Sequence, residues 1–277
     1  DGDGDLDIAA DNRGSSQLYF IRNVGTGLQV VDITSTGNAN YFMVAGDFDN
    51  DFAHDVAVYN LTDATIDVYS LKIGSGFSLQ NSFSTGGVAT GLKCFDYNND
   101  GNLDIVYGDL GNDLLRYRQG NGDYTFGLGF QVSGIDAPIN SEVADYDGDC
   151  DLDVMFASGL QVNDMVLFKN NGAGSFVAQT ALNGSRRPQT IRSGDFDGDG
   201  DIDIIGINNT SDQPTFFRNT NYSITASVPA GPYCNSPTIT VSWTATDSLA
   251  SNLMTYELSD ASGSFASPTI LGTATQS

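Results

Sequence analysis

Asp195, Asp197, Asp199, Asp201 and Asp203 occupy alternate positions in the run GDFDGDGDIDI at 194–204. Five carboxylates this close repel one another unless donors or a cation compensate them. Short alternating carboxylates suit a hard cation. Calcium takes about 6–8 oxygen ligands and tolerates irregular geometry. In a nine-residue loop the side chains of positions 1, 3, 5 and 9 can converge on one ion, and the carbonyl of position 7 can fill a gap. A glycine at position 6 lets the backbone turn around the ion.

The same pattern occurs four more times, aligned on Asp7, Asp55, Asp104, Asp153 and Asp203 at intervals of 48, 49, 49 and 50 residues. The first version, DGDGDLDI, starts at position 3 and offers Asp1, Asp3, Asp5 and Asp7. The second offers Asp47, Asp49, Asp51, the Ala53 carbonyl and Asp55, with Phe52 where glycine is usual and His54 as a solvated loop residue. The third offers Asp96, Asn98, Asp100, Asn102 and Asp104, Asn98 being a neutral oxygen ligand. The fourth offers Asp145, Asp147, Asp149, Asp151 and Asp153, with Cys150 straining the turn at position 6. With the fifth run, up to five structural Ca2+ ions are expected, bound weakest by the first two loops. An EF-hand is excluded, because it needs a bidentate Glu at position 12 and flanking helices. That position of the fifth loop is Gly206.

Regular self-similarity at this period marks a repeat architecture. Short apolar runs flank each loop, such as Val88–Phe95 before the third and Ile105–Tyr107 after it. An aromatic-rich run follows (Ile66–Leu71, Leu114–Tyr117, Met165–Phe168), and a fourth run closes most units (Phe126–Val132, Phe176–Ala178). These runs are rich in Val, Ile, Phe and Tyr and bounded by Gly, Asn and Asp, which describes strands. The fold expected is all-β: about five four-stranded blades of a β-propeller over residues 1–220. The tail, 221–277, is rich in Ser, Thr, Ala and Pro, and its runs Thr238–Thr246 and Met254–Leu258 read as strands of an incomplete sandwich.

Composition narrows the function. Of 35 acidic residues only Glu142 and Glu257 are not Asp, and the short arm of Asp suits a loop folded back on a cation. The formal net charge of −24 with 11 Lys plus Arg argues against nucleic acid as a partner. No run of about 18 apolar residues exists, so no membrane span is expected in this stretch. Cys94, Cys150 and Cys234 are too few for a disulfide scaffold.

The pattern D-x-D-x-D-G-x-x-D between two strands resembles the FG-GAP/VCBS repeat family of integrin-α-like propellers and secreted bacterial proteins. The resemblance covers roughly residues 1–220. It implies a structural calcium ion at each loop and a seven-bladed parent, of which about five blades are present and further blades lie upstream. The tail, through Pro229–Cys234 and LSDASGSFASPTILG at 258–272, resembles Ig-like domains of type IX-secreted bacterial proteins. Both resemblances imply an extracellular or cell-surface setting.

The function expected is a calcium-stabilised binding or adhesion module, not an enzyme, recognising a glycan or an extracellular protein. Tyr19, Tyr69, Tyr117 and Phe168 could stack on sugars, although packing between blades explains them better. The alternatives are part of a propeller-type polysaccharide lyase or other sugar-active enzyme, in which Arg186-Arg187-Pro188 could grip an acidic sugar although a solvated loop explains that cluster better, or a passive scaffold or spacer. No G-x-S-x-G elbow or H-E-x-x-H site is present.

Overall fold

The computed structural model describes residues 3–36, 40–72, 76–159, 165–179, 181–182, 188–198, 200–208 and 214–219, and the strands at 223–227, 242–246, 254–257 and 270–274. Every regular element among them is a β-strand, and the chain divides into two compact units, Asp1–Asn219 and Thr220–Ser277.

The first unit contains five antiparallel sheets of three or four strands, each a meander in chain order. Sheet 1 holds β1 (Ile8–Asn12), β2 (Gln17–Asn23) and β3 (Leu28–Ser35). Sheet 2 holds β4 (Asn40–Gly46), β5 (Asp55–Asn60), β6 (Thr65–Lys72) and β7 (Gly76–Ser84). Sheet 3 holds β8 (Ala89–Phe95), β9 (Asp104–Asp109), β10 (Leu114–Arg118) and β11 (Phe130–Ser133). Sheet 4 holds β12 (Pro138–Ala144), β13 (Asp153–Ser158), β14 (Met165–Asn170) and β15 (Phe176–Ala178). Sheet 5 holds β16 (Pro188–Gly194), β17 (Asp203–Asn208) and β18 (Pro214–Phe217). The second unit pairs β19 (Ser223–Ser227) with β20 (Ser242–Thr246), and β21 (Met254–Glu257) with β22 (Ile270–Ala274).

The strand after each complete loop reads as continuous apolar sequence because both its faces are covered. Along β5, Val56 and Val58 pack with Leu18 and Phe20 of sheet 1, while Ala57 and Tyr59 pack with Ile105 and Tyr107 of sheet 3. The two-residue alternation repeats in β13, where Val154 and Phe156 join sheet 3, and Met155 and Ala157 join Ile191 and Ile204 of sheet 5. Successive sheets therefore stack face to face, with one hydrophobic layer in each gap. Burying a side chain such as Phe156 or Phe168 contributes about 1.5–3 kcal/mol.

The first strands of neighbouring sheets are also joined directly. The Ser141 hydroxyl donates to the Gly91 carbonyl at 2.5 Å, and the Ile191 N–H to Asn140 Oδ1 at 3.0 Å. Glu142 bridges Lys93 of sheet 3 at 3.3 Å and Arg192 of sheet 5 at 2.6 Å.

Most strand expectations coincide with observed strands to within a few residues. The run Phe126–Val132 does not: β11 begins only at Phe130. Two glycines, Gly127 and Gly129, weaken the intervening stretch as a strand, and Phe126 instead turns inward against Phe48 and Phe83. Of the four aromatics weighed as sugar platforms, Tyr69, Tyr117 and Phe168 are buried between sheets. The fourth, Tyr19, is half-buried, with its hydroxyl on Gln17. Arg186, Arg187 and Cys234 lie outside the described residues, as do 238–241 of the run Thr238–Thr246 and Leu258 of Met254–Leu258.

Candidate metal centres

Each complete Asp loop connects the first two strands of its sheet. The register is the same every time: Gly46 faces Asp55, Phe95 faces Asp104, Ala144 faces Asp153 and Gly194 faces Asp203. Position 9 is thus the first residue of the second strand, held at the sheet while positions 1–8 form the turn. Sheet 1 carries the equivalent residue, Asp7, just ahead of β1.

The turns need two left-handed residues, at positions 4 and 6. Position 4 is Asn50 (φ 62°), Asn99 (φ 60°), Gly148 (φ 77°) and Gly198 (φ 81°). Position 6 is Gly4 (φ 98°), Phe52 (φ 70°), Gly101 (φ 89°), Cys150 (φ 73°) and Gly200 (φ 96°). Glycine and asparagine accept this region readily, whereas Phe52 and Cys150 adopt it at a cost of about 1–2 kcal/mol each.

The loop amides point at the loop carboxylates, which is how the repulsion is tolerated. Position 1 accepts the N–H of position 6 through Oδ2: Phe52 to Asp47 at 2.9 Å, Gly101 to Asp96 at 2.8 Å, Cys150 to Asp145 at 3.0 Å and Gly200 to Asp195 at 3.1 Å. Position 5 accepts the N–H of position 7: Asp5 to Asp3 at 3.0 Å, Ala53 to Asp51 at 2.8 Å, Asn102 to Asp100 at 2.9 Å and Asp151 to Asp149 at 3.0 Å. Carboxylate oxygens have two lone pairs, so these bonds leave acceptor capacity for a cation.

Position 9 is the most enclosed carboxylate. Asp55, Asp104, Asp153 and Asp203 are buried and each accepts the N–H of position 2, at 3.0–3.2 Å. A second donor comes from the end of the third strand or just beyond it: the N–H of Gly120 to Asp104 at 2.7 Å, Asn170 to Asp153 at 2.8 Å and Asn219 to Asp203 at 2.8 Å. Asp7 receives Asn23 at 2.8 Å in the same way. Burial pushes Asp104 and Asp153 up to about 7 and Asp55 to about 6, against the amides that pull them down. Asp100 shows the opposite balance. Its partial burial is outweighed by donors from Asn102 and Gln119, so it lies below the usual carboxylate range.

Three loops bring positions 1, 3 and 9 together: Asp47, Asp49 and Asp55; Asp145, Asp147 and Asp153; Asp195, Asp197 and Asp203. In each set an oxygen from every residue lies within 4.8 Å of the others. In the third loop Asn98 stands at position 3 and hydrogen-bonds Asp100 through both its amide atoms. Position-5 carboxylates Asp51 and Asp149 are not part of those sets. At positions 7 the side chains of Asn102 and Asp151 face neighbouring loops instead, taking hydrogen bonds from Asn50 and Asn99. Asp1 and Asp199 lie outside the described residues.

Basic or amide side chains near the ends of the third strands, and of β2 in sheet 1, contact these loops, a feature the motif does not announce. Lys169 contacts Asp147 Oδ2 at 2.7 Å, Arg22 contacts Asp3 at 3.1 Å, Gln119 donates to Asp100 at 2.6 Å and Arg218 pairs with Asp197. The available signal is the dipeptide Arg22-Asn23, Lys169-Asn170 and Arg218-Asn219, about 16 residues beyond position 9. With Oδ2 on Lys169, the Asp147 Oδ1 atom is buried and has no hydrogen-bond partner. An all-oxygen donor set with a spare buried carboxylate oxygen fits a hard divalent cation.

Residues 96–156 and 145–206 match the family model for the FG-GAP-like repeat, so this stretch carries FG-GAP-like repeats. No curated protein matches the sequence. Among solved structures, the Vibrio cholerae biofilm matrix protein Bap1 is similar at 18% identity and a TM-score of 0.46, over 74% of this chain and 32% of that one. The chain thus spans about a third of Bap1. A functionally unknown protein from Desulfotomaculum acetoxidans is similar at 11% identity and a TM-score of 0.39, over 78% of this chain and 81% of that one.

Proposed function

We propose that the first unit is a calcium-stabilised module for extracellular binding or adhesion within a secreted or cell-surface multidomain protein, with a glycan or protein as its ligand. The observation that carries the calcium reading is the grouping of positions 1, 3 and 9 in three separate loops. Calcium would be held by the carboxylates of those positions, by Asn98 in the third loop, and by position 5 and the position-7 carbonyl once they turn inward. It would supply the positive charge that the buried position-9 carboxylates otherwise lack, and so tie the first two strands of each sheet together. Loops of this kind suit the millimolar calcium outside cells.

In this reading the five sheets are successive blades of a β-propeller. Their face-to-face stacking in chain order and the direct bonds between neighbouring first strands support it. The second unit is read as an Ig-like sandwich, supported by its antiparallel pairs β19–β20 and β21–β22. No helix among the described residues is long and apolar enough to cross a membrane.

Thermal melting in excess calcium and in chelator tests the metal. Each site filled at 100 times its dissociation constant adds about 2.7 kcal/mol, so a rise of many degrees is expected. Equal midpoints would overturn the calcium reading. Glycan-array and extracellular-protein binding in calcium tests the adhesive role. Saturable binding without turnover supports it, turnover of a polysaccharide would favour an enzyme, and neither would leave a spacer.

A further inference from the structure

We propose that the Asp loops bind metal cooperatively, coupled to one another through the asparagines at position 4. This rests on the calcium reading above and concerns how its sites communicate. Asn50 Nδ2 of the second loop donates to Asn102 Oδ1 of the third at 2.9 Å. Asn99 Nδ2 of the third donates to Asp151 Oδ1 of the fourth at 3.1 Å. The two bonds are equivalent, running from position 4 of one loop to the side chain of position 7 in the next. A positive-φ glycine covers each one: a side chain at Gly122 would collide with Asn50 and Asn102, and one at Gly172 with Asp151.

The donor stands between positions 3 and 5 of its own loop, in a left-handed conformation. Drawing the flanking oxygens onto an ion orders that conformation and aims the amide. The acceptor is the residue whose main-chain carbonyl belongs to the ligand set of the next loop. Fixing its side chain restricts the same peptide, so a filled loop lowers the ordering cost of its neighbour. By linkage the effect is reciprocal.

A second tie joins the same loops. Asn170, whose N–H holds Asp153, donates through Nδ2 to the Tyr97 carbonyl of the third loop at 2.7 Å. Asn219, whose N–H holds Asp203, likewise donates to the Tyr146 carbonyl of the fourth at 2.8 Å. The third and fourth loops are therefore joined twice. The fourth and fifth have the Asn219 tie but not the position-4 tie, because Gly148 has no side chain. Coupling is therefore strongest between loops three and four.

The test is a calorimetric calcium titration of the full 277-residue chain, its Asn99→Gly variant and its Gly148→Asn variant. Glycine is native at position 4 in the later loops and suits the positive φ, so Asn99→Gly removes the amide without straining the turn. It should bind the same number of ions with a shallower isotherm and an affinity about 5-fold weaker or more at the coupled sites. Gly148→Asn gives the fourth loop the position-4 amide that the second and third carry, and should steepen the isotherm. An Asn99→Gly isotherm that superimposes on that of the parent overturns the proposal. Calcium binding that fits independent sites in all three proteins sinks the coupling and leaves the calcium reading intact. No calcium binding by the parent sinks both. Should Asn99→Gly fail to fold, by circular dichroism, the Gly148→Asn arm decides, and an unsteepened isotherm then counts against coupling.

Discussion

The second and third loops close their turns differently from the fourth and fifth. With asparagine at position 4, position 1 accepts through Oδ1 the N–H of position 5, Asp51 to Asp47 and Asp100 to Asp96, both at 3.1 Å. With glycine there, the same oxygen takes the N–H of position 4 itself, Gly148 to Asp145 and Gly198 to Asp195, both at 2.7 Å. The acidic pattern is common to both pairs, and Oδ2 takes position 6 in all four loops. One carboxylate frame thus accepts two internal closures. The residue at position 4, which carries no carboxylate, goes with which closure forms and with whether a side-chain amide reaches the next loop.

The largest effect should come from what the two pairs share. Replacing Asp104 or Asp153 by Ala leaves two amide donors buried without partners, and each costs about 1–3 kcal/mol. Urea unfolding should show both variants destabilised by about 2–4 kcal/mol. A loss below about 0.5 kcal/mol in either would mean that position 9 is not a common anchor.

The pH dependence should be shared as well. In chelator, Asp104 and Asp153 are raised to about 7 in the folded protein, whereas an unfolded carboxylate titrates near about 4. Between those values the native state holds more protons, so metal-free stability is fullest at the acid end and falls as pH rises toward 7. Calcium competes with those protons, so its stabilising effect should grow over the same interval. Melting midpoints at pH 5 and pH 7.5, with and without calcium, check both signs. A chelated protein more stable at pH 7.5 would contradict the burial argument.

Position 6 divides the loops along a different line. Phe52 is fully exposed and Cys150 is exposed, so neither contributes packing that offsets its left-handed backbone. Phe52→Gly and Cys150→Gly should each stabilise by about 0.5–1 kcal/mol, the strain relieved less the chain entropy of the new glycine. Chelated melts read this directly, and a lower midpoint would show that the turn is relaxed as it stands.

The smallest effect is expected at Lys169, whose pair with Asp147 is partly solvated. Lys169→Met should cost under about 1 kcal/mol without metal. Its sharper signature is in calcium affinity, because Asp147 would lose the contact that turns its other oxygen free. An unchanged affinity would make Lys169 a bystander.

The alternation of Asp and the interval of about 49 residues made the loops and their flanking strands legible, since both follow from local periodicity. The strand boundaries blurred where glycine interrupted an apolar run, as at Phe126–Val132. The ligand set was only partly legible. Spacing places positions 1, 3, 5, 7 and 9 on one turn, but it does not say that position 5 first accepts the amide of position 7. Nor does it say that the side chains of Asn102 and Asp151 are turned toward the preceding loop.

The sequence alone determined a repeated all-β unit with oxygen-rich turns, because side-chain alternation and turn chemistry act over a few residues. The stacking of the sheets decided what local pattern could not. It buried Tyr69, Tyr117 and Phe168 between sheets rather than leaving them to a ligand. It brought Asn170 to Tyr97, 73 residues away, and set Asn99 against Asp151. Those contacts depend on how far apart two sheets sit, and that distance is set by the hydrophobic layer between them rather than by either loop.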